Sequence, residues 1–203
     1  MEVAEGGNVE KVRDILRNNP NLNVIWGDDC GNTALHCACS SAHETTVSIL
    51  LAHPDIDVNL KNRSGSTPFM RACSHGHASC ARLLLKDQRV KVNEPNNGST
   101  PLWDAAADGH LEVIRWWIAS GREMDFGTPG NDKTDVMKAA SDEGWYEVYT
   151  LLSDFKINPM ETRRRVRRKL RISGESPCCF CISLCTSTLF SFFLSFFLFL
   201  YSV

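Results

Sequence analysis

The chain has 203 residues, 43% of them hydrophobic, and carries 22 Lys and Arg against 24 Asp and Glu, a formal net charge of -2. Seven of the bases crowd between Arg163 and Arg171, so residues 1–160 hold 15 bases and 22 acids, a net of -7. An acidic body argues against a nucleic-acid footprint spread over the folded part, which would need clustered Lys and Arg, and the length suits one domain or a domain with a tail.

The N-terminal MEVAEGGNVEKV contains no apolar segment, so a secretory leader is not expected and the body should stay in a reducing compartment. Five cysteines are scattered through the body (Cys30, Cys37, Cys39, Cys73, Cys80) and four crowd the end of the chain (Cys178, Cys179, Cys181, Cys185). Disulfides are not expected in the body.

In chain order, Gly7-Asn8 comes first, followed by Val12, Ile15 and Leu16 at helical spacing. Then a motif recurs: GNTALHCAC from Gly31, GSTPFMRAC from Gly65, GSTPLWDAA from Gly98 and a weaker DKTDVMKAA from Asp132. Self-similarity at a fixed period is the mark of a repeat architecture. The threonines Thr33, Thr67, Thr100 and Thr134, and the alanines Ala38, Ala72, Ala105 and Ala139, set that period at 33 to 34 residues. Each Thr is an expected N-cap, and Pro68 and Pro101 suit a first helical position that needs no N–H donor. Ala42-His43, Gly76-His77, Gly109-His110 and Gly144-Trp145 follow, the glycines ending the short helix in a left-handed turn. Beyond them lie amphipathic runs: Val47, Leu50 and Leu51; Leu83, Leu84 and Leu85; Val113, Ile114, Trp117 and Ile118; Val148, Leu151 and Leu152. A helical pair of this kind exposes an apolar face that only a stacked neighbour buries.

The T-P-L-H-x-A-A type signature, the G-H step and the period near 33 resemble ankyrin repeats over roughly residues 3–156. The resemblance implies an all-α solenoid of helix-turn-helix units with hairpin-like loops. Its units are a partial repeat over 1–27, full repeats over 28–61, 62–94 and 95–128, and a degenerate capping repeat over 129–158. A basic linker (159–177) and a hydrophobic tail (178–203) follow. Departures are Ala34 for the usual Pro, Ala42 for Gly, and Met70, Trp103 and Met137 where His36 shows the usual His. Losing that His removes bonds that tie a loop to the next unit.

The resemblance also implies a protein partner bound on a concave face of loop tips and first helices. Here that face comprises Asn62, Arg63, Met70, Arg71, Asn96, Asn97, Trp103, Asp104 and Lys138. Trp103 either meets the partner or packs under the neighbouring loop in place of His. His36, Cys37, Cys39, His43, His75 and His77 match no zinc-ligand spacing, and no metal or cofactor is expected. No nucleophile-base pair, phosphate loop or nucleophile elbow is present, so no enzyme is expected. The molecule should be monomeric, without a small-molecule substrate.

The tail has two readings. Residues 178–203 carry no charge and are long enough to span a bilayer as one helix, with the basic run on the cytoplasmic side and the four cysteines as palmitoylation candidates. Equally, the seven Phe, five Ser, five Leu and four Cys from Pro177 onward are what a translated pyrimidine-rich intron or a shifted frame would give. The basic run itself reads as a solvated helix end or disordered tail, or as a nuclear-import signal, an acidic-partner patch or a juxtamembrane anchor. The expected location is cytoplasmic, or cytoplasm-facing on a membrane.

Overall fold

The computed structural model describes residues 2–19, 22–128 and 135–172; both readings of residues 178–203 lie outside these. Among the described residues there are eleven helices: α1 (Glu2–Glu5), α2 (Val9–Asn18), α3 (Ala34–Ser40), α4 (Glu44–Leu51), α5 (Pro68–Ser74), α6 (Ala78–Lys86), α7 (Pro101–Ala107), α8 (Leu111–Ser120), α9 (Val136–Asp142), α10 (Tyr146–Ile157) and α11 (Pro159–Lys169). The β structure among them is limited to an isolated bridge between Gly27 and Thr33. The helical stack lies in the first of two compact units, Met1–Val166, and the second starts at Arg167.

Local chemistry starts each first helix. Thr67 Oγ1 accepts from Met70 N at 3.2 Å and Thr100 Oγ1 from Trp103 N at 3.3 Å, with Pro at the next position in both. These caps satisfy N–H groups that a helix start leaves without intrahelical partners. The first helices α3, α5, α7 and α9 then pack in sequence, as do the second helices α4, α6, α8 and α10. Between the two rows sits the core: Leu35, Phe69, Leu102 and Val136 from the first row, Val47, Leu84, Trp117 and Leu152 from the second, all buried. Phe69 meets Trp117 edge-on at 5.0 Å between ring centroids.

The last unit is shifted by one residue from the expected register. Its cap is Asp135, whose Oδ1 accepts from Met137 N and Lys138 N at 3.1 Å each, while Thr134 lies outside the described residues. The small buried residue of the first helix is accordingly Ala140, not Ala139. Trp145 N donates to the Ala140 carbonyl, as His43, His77 and His110 N donate to those of Ala38, Ala72 and Ala105. Lys138, rather than Met137, therefore occupies the position of His36. Asp132 and Lys133 also lie outside the described residues; Lys138, Asp142 and Glu143 are exposed.

Ladders of side chains join one unit to the next. On one edge, the ring N–H at the start of each second helix donates to a carbonyl of the preceding first helix. His43 Nε2 reaches Glu5 O at 2.6 Å, His77 Nε2 reaches Ser40 O at 2.8 Å, and His110 Nε2 reaches Ser74 O at 3.1 Å. Trp145 Nε1 does the same to Ala107 O at 2.8 Å. At and beyond the other end of the second helices, arginines bond backbone carbonyls: Arg89 on Leu51 O at 2.7 Å, Arg122 on Val90 O and Asp87 O, and Arg163 on Ile118 O at 3.1 Å. A cation there complements the negative end of the helix dipole.

The basic run forms a helix. Within α11, Thr162 and Val166 are buried one turn apart, and the Arg163 guanidinium lies over the Phe155 ring at 6.0 Å. The stretch expected as a linker over 159–177 is thus helical as far as Lys169.

Candidate protein-binding face

The candidate face is carried by the loop tips before α5 and α7 and by the third and fourth residues of the first helices. The loops are built on Asx turns, in which a side-chain oxygen takes the place of a turn carbonyl. Asn62 Oδ1 accepts from Ser64 N and Ser66 N at 3.1 and 2.9 Å, and its Nδ2 donates to Asn32 Oδ1 at 2.8 Å. Asn96 Oδ1 accepts from Gly98 N and Ser99 N, both at 2.7 Å. These two asparagines, expected as contact residues, are half-buried and spend their polar atoms on loop shape. The loops in turn register with one another: Arg63 N donates to Cys30 O at 2.9 Å, and Lys61 Nζ to Pro95 O at 2.8 Å. Arg63 and Asn97 stand exposed at the tips.

The helix positions divide more sharply. At the third position, His36 is buried and acts as a bracket: Nδ1 accepts from Thr33 N at 3.1 Å, and Nε2–H donates to Ser66 O of the next loop at 3.0 Å. Met70 replaces it with an apolar side chain that is 1% exposed, so this residue is part of the core and not of the face. Elsewhere between these units, Asn59 donates from Nδ2 to Arg89 O at 2.8 Å and accepts from Lys91 N at 2.8 Å. Trp103 is half-buried, and an open pocket forms around it from Ser64, Asn96, Asn97, Gly98 and Ser99. Its Nε1 is enclosed and has no hydrogen-bond partner. Lys138 is exposed on α9. At the fourth position, Arg71 donates from Nε to Ser40 Oγ at 3.0 Å, and Asp104 accepts from Ser99 Oγ at 2.5 Å. Both are half-buried, and burial raises the Asp104 carboxyl above its usual range.

A profile described as ankyrin repeats in three copies matches residues 1–96 and 54–128, more than half of the chain. The chain belongs to the ankyrin-repeat family. No curated protein matches it. Members of this family are typically protein-interaction modules.

In the ankyrin frame the structure brings Arg63, Asn97, Trp103 and Lys138 to the accessible face, leaves Arg71 and Asp104 half-covered on it, and withdraws Met70. Ser64 and Ser99 join the pocket without having been foreseen. An apolar cleft near the N-terminus was also unforeseen. Val12, Ile15, Leu16, Leu22, Val24 and Trp26 line it. The short α1 supplies no counterpart to Leu35, Phe69 and Leu102, which fill this position in the full repeats.

Cys39, Cys73 and Cys80 are buried, Cys37 is half-buried and Cys30 is exposed. Cys39 and Cys73 stack at equivalent positions in α3 and α5, fully buried, and burial pushes both thiols well above their ordinary range. A thiol so shifted is a poor nucleophile and a poor metal ligand. Among the described residues, no group of three His, Cys, Asp or Glu side chains is placed to hold a metal ion, and no helix is long and apolar enough to cross a membrane.

Proposed function

We propose that this ankyrin-repeat chain is a non-catalytic interaction scaffold that binds a protein partner on the face formed by Arg63, Asn97, Trp103 and Lys138, with Arg71 and Asp104 at its floor. The observation that carries this reading is the Trp103 pocket. An indole, half-buried beside a polar rim of Ser64, Asn97 and Ser99, presents the large rigid surface typical of interface hot spots. The ladders on the two other edges hold the loop tips in place before a partner arrives, which limits the ordering cost of binding. Affinity purification of the wild-type chain beside a Trp103→Ala, Arg63→Glu variant tests it. Specific partners should be lost from a variant whose melting temperature shows an intact fold. An identical set of partners would contradict the assignment of this face.

A further inference from the structure

We propose that the start of α10, where Trp145, Tyr146 and Tyr149 stand beside Asp142, Glu143 and Glu147, is a docking surface for a basic segment of a protein partner. It shares no residue with the face proposed above. Along the row of second helices α4 is covered by α6 and α6 by α8, and α10 is the last of the row. Trp145 is 44% exposed, Tyr146 75% and Tyr149 40%, although large aromatic side chains are normally withdrawn from water. The Trp145 ring is held in place by its N–H, which donates to Ala107 O at 2.8 Å. α11 engages the other end of α10, with Arg165 on Asp154 at 2.5 Å and Arg163 over the Phe155 ring.

The interior of the stack shows which group suits such a surface. Glu44 opens α4 as Tyr146 opens α10. The Arg82 guanidinium of the next unit reaches Glu44 at 2.6 Å and lies over the Trp116 ring of the unit after that at 5.3 Å. Neighbouring second helices thus meet through an arginine set between a carboxylate and an aromatic ring. At α10 the carboxylates and the rings are in place for the same contact. From Ala139 to Phe155 the sequence has four acids and no base. Arg165 takes Asp154, whereas Asp142, Glu143 and Glu147 are exposed and enter no ion pair among the described residues. A Lys or Arg side chain laid here meets both the carboxylates and the negative ring faces. An acidic segment would be repelled, and an uncharged apolar helix would strip water from three carboxylates without pairing them.

The test is fluorescence anisotropy of a labelled peptide of alternating Arg and Gly titrated with the full chain at low salt, beside Ser-Gly and Glu-Gly peptides of the same length. The Arg peptide should bind and the other two should not. Tyr146→Ser with Tyr149→Ser should weaken that binding by about fivefold, and Glu143→Gln with Glu147→Gln by about threefold. Glu2→Gln with Glu10→Gln removes the same charge from exposed positions at the opposite end of the stack and should leave binding unchanged. Thermal unfolding checks each fold, and Tyr146→Ser alone serves if the double variant unfolds. A wild type that does not bind the Arg peptide, or unchanged binding in the tyrosine variant, would overturn the proposal. Equal weakening by the Glu2 and Glu10 pair would do the same, because the net charge of the body would then account for binding. So would light scattering that finds a wild-type dimer lost in the tyrosine variant, since the occupant would then be a second copy of the chain.

Discussion

At Ala42 the backbone sits at φ 61°, the left-handed region that Gly7, Gly76, Gly109 and Gly144 occupy at the same point of the other units. A β-carbon there presses on the following carbonyl and costs on the order of 1–2 kcal/mol, part of which glycine gives back through its freer unfolded chain. Ala42→Gly should therefore raise stability by about 1 kcal/mol in urea unfolding. His36 allows a second test at this scale. Burial holds its imidazole below the ordinary 6.5, with nearby Arg71 acting in the same direction and Asp28 against it. Between the unfolded and folded values the unfolded chain binds more protons, so stability present above pH 6.5 is lost as the pH falls below it. His36→Gln should lower the melting temperature at pH 7 and flatten its fall toward pH 5; His75, shifted in the same direction, is common to both proteins.

At the scale of the element, Trp145 shows that the ladder position requires a donor and not a histidine as such. The indole N–H does what three histidine rings do in the earlier units. Trp145→His should leave thermal stability nearly unchanged, whereas Trp145→Phe, which removes the donor and leaves the Ala107 carbonyl without it, should cost about 1 kcal/mol. The helices of the full repeats were legible in the sequence because Thr33, Thr67 and Thr100, the prolines and the glycines act locally. The last unit was misread by one residue because Thr134 and Asp135 are both good caps, and only tertiary register chooses between them. Met70 could not be placed from its neighbours in sequence; whether the third helical position is bracket, core or surface depends on the loop stacked against it. α11 was hidden for another reason. Its buried stripe is only Thr162 and Val166 among bases whose composition reads as solvated.

For the whole molecule, stability follows from stacking of near neighbours, and the two ends of the stack differ from its middle. Val47, Ala81 and Ile114 are completely buried by the unit that follows each, whereas Tyr149, at the same point of the last repeat, is 40% exposed. At the opposite end the apolar cleft beside the short α1 leaves Trp26 exposed. Hydrogen exchange should therefore protect α5 to α8 most strongly and α1 and α2 least; uniform protection along the chain would contradict a one-dimensional stack. The loop-and-first-helix face is proposed as the one that meets a protein. Its most direct test is a photo-crosslinking amino acid placed at Asn97 on that face and, separately, at the exposed Ser48 on α4. Discrete protein adducts are expected from position 97 and none from position 48. Adducts at position 48 alone, or the same adducts from both positions, would contradict it.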